Sequence, residues 1–253
     1  MDNLRKLLEI KKYSDKNVKS KTDIVIRETS LKLILNNQEL LKLACLPENY
    51  IELALGFLFT EGLVKHKSEI EKIVQDINNK IVVVKANIPD KRIESFLQTS
   101  EKASGCGNSF SSFQLKQKFQ TSLKIEVKRI LILMHDFHNK AKLFLQTGGV
   151  HSAALCSWEK ILFFADDIGR HNAIDKVVGM SIQENLDFKN KLIITTGRIS
   201  AEIIRKAIRI QIGTIISHSA PTSKAVDLAW NSGINLIGFA RNKRFNLYTN
   251  FND

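Results

Sequence analysis

The stretch Phe163-Phe164-Ala165-Asp166-Asp167-Ile168-Gly169-Arg170-His171-Asn172-Ala173-Ile174-Asp175-Lys176-Val177-Val178-Gly179 decides how the chain is read. An apolar strand over 161–164 breaks into a polar turn carrying two carboxylates, a glycine, an arginine and an imidazole, and a helix resumes at Ala173. In open α/β sheets, ligands collect beyond the carboxyl ends of strands, where helix N-termini present unpaired N–H groups to anions. The turn is therefore expected to face a ligand. The plainer alternative is that Asp166 and Asp167 only stop a strand and leave Arg170 and His171 in solvent.

Downstream the same pattern recurs. A strand over 192–196 ends in Gly197-Arg198-Ile199-Ser200, with Ser200 placed to cap the following helix. A strand over 214–217 ends in His218-Ser219-Ala220-Pro221-Thr222, and the last strand, 235–239, ends in Ala240-Arg241-Asn242-Lys243-Arg244. Such alternation predicts an α/β fold with a parallel sheet and crossover helices. Its strand ends would gather Arg170, His171, Arg198, Ser200, His218, Ser219, Thr222, Arg241 and Arg244 on one edge. Arginine supplies planar, multidentate donors and hydroxyls fill between them, so this edge predicts a phosphate- or nucleotide-sized anion site. No G-x-G-x-x-G or P-loop accompanies it.

Upstream, 113–253 carries this α/β unit, with a long helix over 119–146 and a hairpin of 150–158 with 161–164. Before it, 23–98 reads as a smaller α+β domain. Two apolar runs around Asn36-Asn37 predict a hairpin, Pro47-Glu48-Asn49 opens a helix that Gly62 ends, and 70–77 reads as a weak helix or a helix-to-strand transition. A short strand over 81–84 and a helix over 89–97 complete it. Residues 1–22 form a basic N-terminal arm, read as a helix or loose segment. Between the two domains lies a small, polar, glycine-framed stretch, 99–112, that reads as a mobile loop with Cys106 between two glycines.

The chain of 253 residues has a formal net charge of +12, which points to an anionic partner, though spread lysine is also the ordinary make-up of a solvated face. No apolar run is long enough to span a membrane and the N-terminus lacks a signal-peptide core, so a cytoplasmic location is expected. Three distant cysteines form no disulfide framework, and the six scattered histidines offer no metal-ligand spacing, so no metal site is expected. Cys45 and Cys156 sit in apolar runs as small hydrophobes. Cys106, in its glycine frame, is the accessible thiol.

Three stretches carry a resemblance: Leu53-Ala54-Leu55-Gly56-Phe57-Leu58-Phe59-Thr60-Glu61-Gly62, Thr147-Gly148-Gly149-Val150-His151-Ser152-Ala153 and, within the opening stretch, Asp167-Ile168-Gly169-Arg170-His171-Asn172-Ala173-Ile174-Asp175-Lys176. With Gly197-Arg198-Ile199-Ser200, Ser219-Ala220-Pro221-Thr222-Ser223 and Gly238-Phe239-Ala240-Arg241 following in order, the chain from about 23 to 249 resembles the FdhD family of formate dehydrogenase accessory sulfurtransferases.

The resemblance implies a cytidine-deaminase-like C-terminal domain, without the deaminase zinc ligands, behind a smaller α+β domain. It implies that Cys106 accepts persulfide sulfur from a cysteine desulfurase. The sulfur then passes to the molybdenum bis(molybdopterin guanine dinucleotide) cofactor before that cofactor enters formate dehydrogenase. Phe239, Ala240, Arg241, Asn242, Lys243 and Arg244 match the family's cofactor-contacting stretch, and Arg170, His171, Arg198 and Ser219 would extend that cradle.

Many members carry a paired C-G-x-C-G in the loop. Here Cys106-Gly107 stands alone, with Ala103 or Ser109 at the partner position, and a single thiolate suffices for carriage. The alternative function is a non-catalytic chaperone for the cofactor or for a guanine nucleotide. Nucleic-acid binding ranks below both, since no aromatic-basic motif accompanies the charge. A homodimer is left open.

Overall fold

The computed structural model describes residues 3–15, 17–101, 125–241 and 243–250. Its first element corrects the reading of the N-terminus. Strands β1 (Arg5–Ser14) and β2 (Asn17–Ile26) pair antiparallel, as a two-stranded ribbon, where a helix or loose arm was expected. Most of its side chains are exposed on both faces, so the alternation that marks a half-buried strand is missing from the sequence.

A four-stranded sheet follows, in the order β4-β3-β6-β5, from β3 (Thr29–Leu35), β4 (Gln38–Cys45), β5 (Ile70–Asp76) and β6 (Ile81–Ala86). The β3–β4 hairpin turns at Asn36 and Asn37, whose φ values of 47° and 67° are the left-handed pair that a two-residue hairpin turn requires. Helices α1 (Tyr50–Thr60) and α2 (Asp90–Glu101) cover the sheet, with Phe57 of α1 edge-on to Phe96 of α2 at 5.8 Å. Two expectations fail here. Within the segment 70–77, Ile70–Asp76 is strand β5, an edge strand whose outer face is exposed and whose apolar spacing is therefore not regular. In addition, α2 runs on through Glu101, so residues 99–101 of the expected loop are helical.

The remaining elements are α3 (Val127–Lys140), α4 (Lys142–Thr147), β7 (His151–Cys156), β8 (Ile161–Asp167), α5 (Arg170–Gln183) and β9 (Leu192–Thr195), followed by α6 (Ala201–Arg209), β10 (Thr214–Ser217), α7 (Ser223–Ser232), β11 (Asn235–Arg241) and β12 (Arg244–Thr249). The single long helix expected before β7 is broken at the buried Ala141, whose ψ of 44° is not helical. The expected final strand extends to Arg241 and is followed by β12.

The sheet order is β12-β11-β10-β9-β7-β8. It is mixed, where a parallel sheet was expected: the parallel pairings are β9 with β10 and β10 with β11, while β7 is antiparallel to both its neighbours and β12 is antiparallel to β11. The period-two alternation of its strands feeds two cores. Ile193, Ile215 and Leu236 pack toward α5, α6 and α7. Ile194, Ile216 and Ile237 pack on the opposite face with Ile130, Leu133 and Phe137 of α3.

The two halves meet where α1 crosses α5. A methyl at Gly56 would overlap the Asp175 carbonyl, and one at Gly179 would overlap the Glu52 carbonyl, so the helices approach backbone to backbone at two glycines.

Candidate functional site

Because β7 reverses direction on both sides, β8 runs the same way as β9, β10 and β11. Their four carboxyl ends therefore share an edge, together with the first residues of β7 and β12. The mixed sheet thus keeps the convergence that a parallel one would give. The loops there are zipped to one another. Thr196 N–H donates to the Ser152 carbonyl at 3.0 Å, and Ser152 N–H donates to Thr196 Oγ1 at 2.9 Å. The Ser217 hydroxyl donates to the Gly197 carbonyl at 2.7 Å, and Phe239 N–H donates to the Ser219 carbonyl at 3.0 Å. Phe239 sits at φ 51°, a left-handed conformation that a bulky residue rarely adopts, and the Arg241 guanidinium lies 5.8 Å over its ring.

Several polar atoms on this edge are buried without a hydrogen-bond partner: Arg170 Nε, Arg241 Nε, His171 Nε2 and Ser200 Oγ. Buried polar atoms are normally satisfied, so their grouping beside exposed Arg198 marks a surface able to take an anionic, oxygen-rich group. Ser200 is the N-cap residue of α6, as expected, but makes no side-chain cap bond.

The histidines here are neutral. Burial first, then Lys206 and Arg170, hold the His171 imidazole down at about 3. Its Nε2 lies 3.3 Å from Glu202 Oε2 without hydrogen-bond geometry, so the contact is not a working ion pair. His151 is lowered by burial and by Arg170 and Arg198, and its Nδ1 is 3.4 Å from Thr196 Oγ1. His138, on α3, reaches across with Nε2 2.9 Å from His218 Nδ1. Burial and mutual proximity lower His138, and burial and Arg241 lower His218. The arginines therefore supply the positive charge, and the imidazoles supply neutral donors and acceptors.

Much of the stretch from Asp167 to Lys176 serves another purpose. Asp167 accepts from Leu46 N–H at 3.1 Å, Gly169 N–H at 3.0 Å and Asn172 Nδ2 at 2.9 Å, and pairs with buried Lys176 at 2.8 Å. Asn172 also donates to the Ala44 carbonyl at 2.8 Å. Asp175 takes Lys206 Nζ at 2.9 Å and the Thr60 hydroxyl at 2.7 Å, while Lys206 pairs with Glu61 at 2.9 Å. Asp167, Asn172 and Asp175 clamp the two halves together, Lys176 holds Asp167 from within its own half, and Arg170 and His171 remain on the edge. Of the clamp's partners, Thr60 and Glu61 stood out only as the end of a stretch that carries the resemblance, with nothing to mark them as buried polar contacts, and Lys206 gave no sequence signal. His138 likewise gave none, because it arrives from the opposite face of the sheet.

Of the cysteines, Cys45 and Cys156 are fully buried. Burial, aided by Asp167, pushes the Cys45 thiol up to about 12, and burial raises Cys156 as well. Cys106 and Asn242 lie outside the described residues. Among the described residues, no cluster of histidine, cysteine and carboxylate could hold a metal ion, and no helix is long and apolar enough to cross a membrane.

Fold and edge together define an α/β protein that displays arginines and neutral imidazoles along the carboxyl ends of its strands. The chain belongs to the FdhD/NarQ family, whose family model matches residues 26–253. It is 35% identical over 254 residues to the sulfur carrier protein FdhD of Bacillus subtilis, covering 98% of this chain and 97% of that one. It is 36% identical over 234 residues to the protein of the same name from Listeria innocua, covering 90% of each. Its fold matches the crystal structure of a candidate formate dehydrogenase accessory protein from Desulfotalea psychrophila, with a TM-score of 0.80 and 24% identity over 98% of this chain and 97% of that one.

Proposed function

We propose that this protein is a sulfurtransferase of the carrier type. It takes sulfur from a cysteine desulfurase on Cys106 and delivers it to the molybdenum bis(molybdopterin guanine dinucleotide) cofactor of a formate dehydrogenase. The observation that carries the choice of residue is the burial of the other two cysteines. Cys45 and Cys156 are both 0% exposed with raised thiols, so neither can present a thiolate to a partner. A carrier with three cysteines then has one candidate, Cys106.

In the first step the Cys106 thiolate attacks the terminal sulfur of the desulfurase persulfide. The desulfurase S–S bond breaks, its cysteine leaves as thiolate, and Cys106 becomes the persulfide. In the second step the sulfur passes to the reduced metal centre of the cargo, which supplies the two electrons that convert it to a sulfido ligand. Cys106 departs as thiolate. Arg170, Arg198, Ser219 and Arg241, with Phe239 to Arg244, would hold the phosphates and guanine of the cargo, and positioning contributes most of the rate. The unpartnered donors of Arg170 and Arg241 and the Ser200 hydroxyl support this assignment, since phosphate oxygens are the acceptors they lack.

Incubation with a cysteine desulfurase and cysteine, followed by peptide mass spectrometry, is expected to show added sulfur on Cys106. In Cys106→Ser that sulfur disappears and formate dehydrogenase activation in cells is lost. Full activation by Cys106→Ser would overturn the carrier function and leave the chaperone.

A further inference from the structure

A cavity of about 1340 Å³ lies at the far end of α5 from the arginine edge, between the two halves of the molecule. With a rise of about 1.5 Å per residue, α5 separates the two places by about 20 Å. Half-buried Phe59, Leu186 and Phe188 form its apolar surface. Its rim is cationic in a particular way. The two arginines there are neutralised within the protein, Arg92 by Glu69 at 2.9 Å and Arg209 by Glu61 at 3.3 Å. Lys65, Lys91 and Lys189 are exposed, and none of them is in an ion pair among the described residues. The neighbouring Asp187 is held by the Lys189 N–H at 3.0 Å and by Lys191 at 3.8 Å.

We infer that this cleft docks an acidic polypeptide segment of a partner protein, with apolar side chains seated on Phe59, Leu186 and Phe188 and carboxylates facing Lys65, Lys91 and Lys189. A compact anion is the poorer fit. Planar recognition of phosphate favours free arginine forks, and both arginines here are occupied. The cavity also exceeds the range of about 300–1,000 Å³ usual for small ligands. Separate lysines around an apolar floor suit an extended chain with alternating acidic and apolar residues. The position leaves the arginine edge open while a partner is held, and the inference stands whether or not that edge carries a cofactor.

The test uses the full chain and a fluorescein-labelled peptide, EDLEEFDELEED, followed by fluorescence anisotropy. Saturable binding is expected, weakened about tenfold or more in K65E/K91E/K189E and clearly weakened in Phe188→Ser. A matched triple on the ribbon, K11E/K12E/K19E, lowers net charge equally and is expected to change affinity less than about threefold. Thermal melts establish that each variant is folded. Absence of saturable binding, equal loss in both triples, or displacement of the peptide by micromolar pyrophosphate would each overturn the assignment. The second of these would mean attraction by general charge, and the third a small-anion pocket.

Discussion

His171 shows how an ionisable group can be placed at a basic edge without adding charge to it. Its imidazole is held neutral in the folded state, down at about 3, by burial, Lys206 and Arg170, whereas in the unfolded chain it protonates near its ordinary value of about 6.5. The unfolded state therefore binds the extra proton, and stability is full above that value and declines as pH falls below it. From pH 7.5 to 5.0 this one residue is expected to cost up to about 2 kcal/mol. His138, His151 and His218 are shifted the same way, while Glu202, raised by burial, acts in the opposite sense only near the carboxylate range. Urea midpoints across that pH range are expected to fall less steeply in His171→Gln than in the parent. Identical slopes would show that His171 is not the buried neutral group described.

At the level of elements, the α1–α5 crossing is the tightest contact between the halves. Since a methyl at Gly56 would overlap the Asp175 carbonyl, which belongs to the α5 backbone, the clash cannot be relieved by turning a side chain. Gly56→Ala is expected to destabilise by about 3 kcal/mol or more, despite the better intrinsic helix propensity of alanine. A thermal midpoint equal to the parent's would contradict the close approach. Elements whose signals are local were legible in the sequence: the hairpin at Asn36-Asn37, helix α1 after Asn49, and the alternation from β9 to β11. Those set by distant partners were not. Edge strand β5, the solvent-covered ribbon β1–β2 and strand β12 carry no clean period, and no glycine or proline marks the break at Ala141. For the site, topology alone placed Arg170, Arg198, Ser219 and Arg241 on one edge. The clamp role of Asp167, Asn172 and Asp175 was hidden because their partners Leu46, Ala44 and Thr60 are far away in sequence.

Across the whole molecule, the Asp175–Lys206–Glu61 cluster binds α5 and α6 to the end of α1, joining the second half to the first. All three side chains are buried, so none can fall back on water if a partner is removed. Burial alone would drive Lys206 toward its neutral form, and Asp175 and Glu61 prevail by holding it charged, with its affinity for the proton raised. Removing Asp175 therefore does more harm than losing a single contact, because it leaves two buried cations, Lys206 and Arg209, on the one carboxylate of Glu61 and so strands an excess positive charge between the helices. Asp175→Leu is expected to destabilise by about 3–5 kcal/mol. Adding Lys206→Met removes that stranded charge and leaves Glu61 to Arg209, 3.3 Å away. The double variant should therefore regain more than half of the loss, since an apolar pair of similar volume can replace a buried ion pair at little net cost. Urea denaturation of the parent, both single variants and the pair completes the cycle. A double variant no more stable than Asp175→Leu would mean that packing at Asp175, and not the balance of buried charge, holds the two halves together.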